Sequence, residues 1–311
     1  MTKLIFSRLL QAVLVLLIVS LLTFGLLSAA GADALTALSS DPKVSSAAVA
    51  ELRHVYGLDQ PFAIRYLRWF SAVVQGDFGY SIYFQLPVQS ILWPRLLRTA
   101  ALACAALAIA WAFALALGMK AAQQRGGWAD RLCSMLILFG SSTPRLVLAL
   151  IVLAFAGRAS WLNIGGSSAT LSAGGWLLRL LPPALVLCVP LAALFLAQTR
   201  ASVAEGLRQD FVRAARSKGL PERTILFRHV LRPSLNPLIT VFGYSLGGVI
   251  GGSVIVEKVL GWPGLGELSV TAVQSRDVPL LLAVVLITST AVLIGNLLAD
   301  ILLRLNDPRL R

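Results

Sequence analysis

Charge is scarce in this chain. Asp, Glu, Lys and Arg make up 13% of its 311 residues, against about 25% in a soluble domain. Hydrophobic residues reach 57% and the mean hydropathy is +0.80, so a soluble fold would have to expose large apolar patches. Cysteine is nearly absent: Cys104, Cys133 and Cys188 all lie in apolar runs, with no CxxC or Cys/His spacing. That excludes a disulfide framework and a zinc site, and buried spectator thiols are the expectation. Missing too are a Walker A sequence and HExxH, so the chain has no such cradle for ATP phosphates and no such metalloprotease signature. It reads as an all-α membrane protein.

An apolar helix needs about 20 residues to cross the hydrocarbon. Six stretches qualify, at 9–30, 98–119, 132–156, 178–199, 238–256 and 279–303. Lys3 and Arg8 before the first give it the look of a secretory signal. Its apolar run of 9–27 exceeds the usual core of about 7–15 residues, so it reads as a retained helix. Sixteen of the 27 basic residues fall on the face that holds both termini and ten on the other, with Arg145 inside the third span. Both termini are therefore expected in the cytoplasm. With the basic residues spread over membrane-flanking loops, nucleic acid is not an expected partner. The lipid bilayer is. His54 and His229 fall on opposite sides, out of each other's reach for acid–base work.

Four parts follow: a first helix (1–30), an extended extracytoplasmic segment (31–97), a five-helix core (98–303) and a cytoplasmic tail (304–311). In the second, residues 52–70 are irregularly amphipathic, with Tyr66, Trp69 and Phe70 suited to the headgroup level. Short helices are expected there.

Function becomes readable in the cytoplasmic loop 200–237. Val203, Leu207, Phe211 and Ala214/Ala215 recur at three- and four-residue spacing, as on one helix face. Gly219 suits the left-handed residue that closes such a helix, and Pro221 the first turn of a second, with Glu222 near its positive end. Ile225, Leu226, Val230 and Leu231 share a face, while Arg223, Arg228, His229 and Arg232 sit elsewhere; Pro233 and Pro237 are expected to end this helix. A loop that merely orients the protein needs the net +5 of residues 200–232, but not a small-residue pair followed by glycine and proline. Ala214 and Ala215 would let another surface approach closely.

The run Arg213-Ala214-Ala215-Arg216-Ser217-Lys218-Gly219-Leu220, with Arg228-His229 beyond it, resembles the coupling loop of permease subunits in binding-protein-dependent ABC importers. That family's Glu-Ala-Ala-x3-Gly frame is kept except for its acid, replaced by Arg213 as in the peptide/nickel branch. Gly57-Leu58-Asp59-Gln60-Pro61, Gly76-Asp77-Phe78-Gly79 with Ser81, Glu257, Trp262-Pro263-Gly264-Leu265-Gly266, Arg276-Asp277 with Pro279, and Asp307-Pro308-Arg309 extend the resemblance to the B-type dipeptide/oligopeptide permease. Ala30-Gly31-Ala32-Asp33-Ala34 departs from the family's Pro-Gly-Asp-Pro after the first span. The resemblance implies the type I importer permease fold and four kinds of partner or cargo: a second homologous permease, two ATPase subunits that use the ATP, an extracytoplasmic binding protein and a peptide. Nickel or another small solute of the same branch is the alternative cargo. No cofactor is expected on this chain itself.

Two further features carry expectations. Gly243, Gly247, Gly248, Gly251 and Gly252 form overlapping small-xxx-small frames, suited either to packing within the chain or to contact with the second permease. Arg145 is placed near mid-membrane by the rise counted from Leu132, and Pro144 beside it frees a carbonyl and can kink the helix. It either lines the pathway and meets a substrate carboxylate, or partners an acid or carbonyl of a neighbouring helix. A self-contained carrier or channel also has six spans, but has no use for a docking loop.

Overall fold

The computed structural model describes residues 2–29, 60–156 and 173–306. Ala30 to Asp59 and the Asp307-Pro308-Arg309 motif lie outside the described residues. The elements are α1 (Thr2–Ala29), α2 (Phe62–Val74), β1 (Tyr80–Ser81), β2 (Leu86–Pro87), α3 (Val88–Gln123), α4 (Trp128–Ser142), α5 (Arg145–Ala156) and α6 (Ala173–Gly206). After these come α7 (Asp210–Ser217), α8 (Glu222–Val259), α9 (Leu265–Gln274) and α10 (Val278–Asn306). By length and composition α1, α3, α6, α8 and α10 can each cross a bilayer, and the bent pair α4 and α5 makes a sixth when counted as one broken span. The chain folds as two compact units, Thr99–Trp262 with Val292–Arg311, and Thr2–Arg98 with Pro263–Ala291.

In the second unit α2 is one of the short helices expected before the core; residues 52–59 of that stretch lie outside the described residues. Its Tyr66 hydroxyl lies 2.8 Å from Ser20 Oγ, and Phe62, Tyr66 and Trp69 surround Phe24 of α1. The β1–β2 hairpin, which the sequence did not announce, follows. Ser81 Oγ donates to Asp277 Oδ2 at 2.5 Å, and the Tyr83 amide to the same oxygen at 3.1 Å. Asp277 also caps α10, accepting the Leu280 amide at 3.2 Å. Arg276, at φ 52, turns the chain into this position, in the left-handed region few side chains adopt. Arg95 pairs with Glu267 beside a buried cluster of Val88, Leu92, Leu265, Leu268 and Leu280. The compact units divide at Arg98/Thr99, where the core boundary was expected, but α3 itself starts earlier, at Val88, and runs unbroken through Pro94.

In the first unit α6 is the central element, packed against α8, α4 and α5. Its Leu187, Leu191 and Phe195 share a buried cluster with Leu102 and Leu107 of α3. Gly140 allows α4 a close approach to α6: a Cβ there would lie 2.8 Å from Ala193 Cβ and 2.9 Å from Val189 O. The stretch 132–156 is not one straight helix: α4 and α5 meet at 98°, at the proline where a kink was expected. Proline disfavours the helical conformation in the residue before it, and Thr143 is extended, at φ −90 and ψ 119. The helix restarts at Arg145, so a ruler laid along one straight helix from Leu132 does not give its depth.

Candidate functional site

The loop 200–237 folds into a knuckle with its own small core. Here the single helix face of Val203, Leu207 and Phe211 is corrected. Val203 belongs to the end of α6, the chain turns at residues 207–209, and α7 starts afresh at Asp210. The new phase turns Val212 and Ala215 inward and leaves Phe211 43% exposed. Val203, Val212, Ile225 and Val230 are fully buried together, each a contribution of about 1.5–3 kcal/mol. Gly206 lets α6 approach this core: a Cβ there would sit 2.8 Å from Val230 Cγ1.

Gly219 has the expected positive φ, +75. The Leu220 amide reaches back to Ala215 O at 3.3 Å and the Gly219 amide to Arg216 O at 2.9 Å. These two bonds are the six-to-one and five-to-two pair that closes a helix on a left-handed residue. Arg216 then bridges the turn, its Nε donating to Glu222 Oε1 at 2.7 Å and Nη2 to Oε2 at 3.3 Å. That hydrogen bond holds the Glu222 carboxyl below the ordinary carboxylate range and raises the Arg216 guanidinium further. Both groups are exposed, so the bridge orients the turn while the buried apolar residues hold it.

The second short helix is also corrected. Pro233 and Pro237 do not end it; Glu222–Thr224 passes through a wider π turn at Ile225–Val230 into Leu231–Val259, one continuous element. Pro233 has no N–H to offer the preceding turn, and the wider turn carries the helix past it. Ser234 Oγ donates to Val230 O at 2.8 Å, with Ser202 O 3.2 Å away. Gly206, Ser234 and the π turn carry no pattern that sequence reasoning could use, since none repeats at a helical period.

Among the named loop residues, Arg213, Ala214, Arg216, Lys218, Gly219 and Leu220 are exposed, and Ala215 is buried. The alanine pair therefore splits: Ala215 anchors the knuckle to its own chain and Ala214 faces out. A docking role for Ala215 is corrected accordingly, because its methyl is already occupied.

The glycine face of α8 divides as well. A Cβ on Gly243 would strike Ala299 of α10, one on Gly247 would lie 2.9 Å from Val292 Cγ1, and one on Gly252 would strike the Arg145 guanidinium. These three pack within the chain, which corrects their candidacy for a contact with another subunit. At Gly248 and Gly251 a Cβ would meet nothing within 4 Å among the described residues. They lie on an exposed stripe with Thr240, Tyr244 and Ile255. Arg145 Nη1 donates to Gly248 O at 3.3 Å, the carbonyl partner that was one of its two expected roles. No carboxylate among the described residues lies within ion-pair distance of it. A cation in the first turn of α5 is opposed by the helix dipole, and a guanidinium offers five donors. The site is left able to take an anionic group.

A family model described as binding-protein-dependent transport system inner membrane component matches residues 114–311, and its N-terminal counterpart matches residues 1–103. The oligopeptide transport system permease protein AppB of Bacillus subtilis is 34% identical over 315 residues, covering 100% of this chain and 99% of that protein. The glutathione transport system permease protein GsiC of Salmonella paratyphi A is 34% identical over 312 residues, again covering 100% and 99%. Of solved structures, an inward-facing MetNI methionine ABC transporter chain superposes with a TM-score of 0.58 at 16% identity, over 70% of this chain and 97% of that one. This last likeness speaks to the fold alone, that of an ABC importer permease. The B-type permease resemblance holds, and the carrier or channel alternative is set aside. The chain belongs to the family of inner-membrane components of binding-protein-dependent transport systems, the permease subunits of ABC importers.

Proposed function

We propose that this chain forms half of a membrane pathway for short peptides, with both termini in the cytoplasm. Its partners in that reading are a second homologous permease, two ATPase subunits that bind and hydrolyse the ATP, and an extracytoplasmic binding protein. Residues 213–220 serve as the docking element for an ATPase subunit. The observation that carries this is the knuckle itself: α7 is pinned from beneath by Val212 and Ala215, closed at Gly219, and exposes Arg213, Ala214 and Lys218. A rigid exposed element anchored to the end of α6 and the start of α8 can pass a push from outside directly to two spans.

Peptide cargo is supported by the relatives, whose names cite oligopeptide and glutathione transport. Those cargoes share amide bonds and free carboxylates. Arg145, beside the open Gly248/Gly251 stripe, is the residue that would meet such a carboxylate. The reading is tested by reconstituting the permease pair, cognate ATPases and binding protein in proteoliposomes. ATP-dependent uptake of a labelled tripeptide supports it; uptake of nickel chelates with no peptide uptake refutes the cargo.

A further inference from the structure

Where α3 ends, α4 begins and α6 runs out toward the knuckle, they enclose a cleft of about 630 Å³ that the docking role leaves unused. Its rim carries Arg125, Arg200 and Arg208 with Asp130 and Glu205, and its floor is apolar, with Ile137, Ala197 and Ala201. Asp130 is already neutralised: Arg200 Nη2 lies 2.7 Å from its Oδ1, a charge contact without hydrogen-bond alignment, and the Gly126 amide donates to Oδ2 at 2.9 Å. Arg200 is further held by Ser134 Oγ at 3.0 Å. Arg125 and Arg208 differ. Both are exposed, and among the described residues neither makes a side-chain hydrogen bond or ion pair. Beside the cleft, Lys120 Nζ sits 4.5 Å from the centre of the Trp128 ring, and that indole is 60% exposed. An exposed tryptophan with a cation above it marks the headgroup level of a bilayer.

We propose that this cleft binds the phosphate headgroup of an anionic phospholipid from the cytoplasmic leaflet, with Arg125 and Arg208 as its phosphate donors and the first acyl methylenes along Ile137. The inference rests on the inside placement of residues 200–232. Apolar floor, cationic rim and an aromatic anchor at the same level fit a lipid better than a soluble anion, which has no use for Ile137. Basic pockets between helices on the cytoplasmic side take such headgroups. Arg208 lies in the short link between α6 and α7, so a bound headgroup braces the segment that leads into the knuckle.

The test uses the assembled transporter, permease pair with ATPases, in nanodiscs of phosphatidylcholine with or without phosphatidylglycerol. Native mass spectrometry counts the phosphatidylglycerol retained after delipidation. The Arg125→Gln/Arg208→Gln variant should retain one lipid fewer per copy of this chain, with affinity reduced about 30-fold. Arg304→Gln, which removes a cation elsewhere on the same side, should retain the full count. Millimolar inorganic phosphate should not displace the lipid; displacement would assign the site to free phosphate and overturn the proposal. An unchanged lipid count in the double variant overturns it as well. So does loss of ATPase subunits at an unchanged lipid count, which would make the cleft a protein contact.

Discussion

The Ser81 hydroxyl donates a 2.5 Å hydrogen bond to Asp277 Oδ2 across a sequence separation of 196 residues. Both side chains are buried, Ser81 fully and Asp277 to within 1%. One carboxylate thereby fixes the hairpin, accepts the Tyr83 amide and caps the last spanning helix. The motifs Gly76-Asp77-Phe78-Gly79 with Ser81 and Arg276-Asp277 with Pro279, met separately in the sequence, are two halves of one joint.

Asp277→Ala should be among the costlier substitutions in this chain. It leaves the Ser81 hydroxyl and the Tyr83 and Leu280 amides without their acceptor, and each buried orphan costs about 1–3 kcal/mol. A marked fall in melting temperature in detergent is expected, with Ser81→Ala alone giving a smaller one. Equal melting of wild type and Asp277→Ala would show that the joint does not hold the fold.

The division of the α8 glycines predicts opposite failures. Gly243→Leu must displace Ala299 within the same chain, so the protein should be poorly produced. At Gly251 an added Cβ meets nothing within 4 Å among the described residues, so Gly251→Leu should be produced normally but capture less of the second permease in a two-tag pull-down. Normal capture by Gly251→Leu would remove that face from the subunit contact.

Arg145 is predicted to select by charge. In proteoliposomes Arg145→Gln should lower uptake of a peptide with a free C-terminal carboxylate about tenfold or more relative to its C-terminal amide. Arg145→Lys should restore part of that difference. Equal loss for acid and amide would mean that the residue only braces α5 against Gly248.

The basic asymmetry predicts sidedness. In a background without Cys104, Cys133 and Cys188, cysteines at Gln89 and at Ser217, both exposed positions, should label from opposite sides. Labelling of the Ser217 position by an impermeant reagent outside intact cells would invert the map.

Much of this was legible in the sequence because it rests on composition or on single-residue backbone demands. Bilayer-length apolar runs gave the spans, and Gly219 declared the end of α7 through the one conformation that glycine adopts cheaply. What the sequence hid depends on contacts between distant segments. Pro233 and Pro237 read as stops because the compensating π turn has no signature of its own. Pro144 pointed to a kink, but its size, 98°, was masked by an apolar run continuous from α4 into α5. Val203 and Phe211 kept helical spacing across a turn that interrupts the helix, so the inward face moved to Val212 and Ala215. The exposed half of the alanine pair followed only once that phase was known.

Docking through the knuckle is the central claim, and Ala214 is the residue on which it turns. Gly219→Val would also disturb the loop, by forcing a β-branched residue to φ +75, but it perturbs the fold of the turn itself. Ala214→Trp adds bulk only on the outward face and leaves Val212 and Ala215 seated. The deciding measurement is the number of ATPase subunits that co-purify with this permease, at matched permease level. Ala214→Trp should lose them, with substrate-stimulated ATP hydrolysis falling to background. Full ATPase stoichiometry with normal stimulated hydrolysis would contradict the account and leave residues 213–220 as a topological anchor.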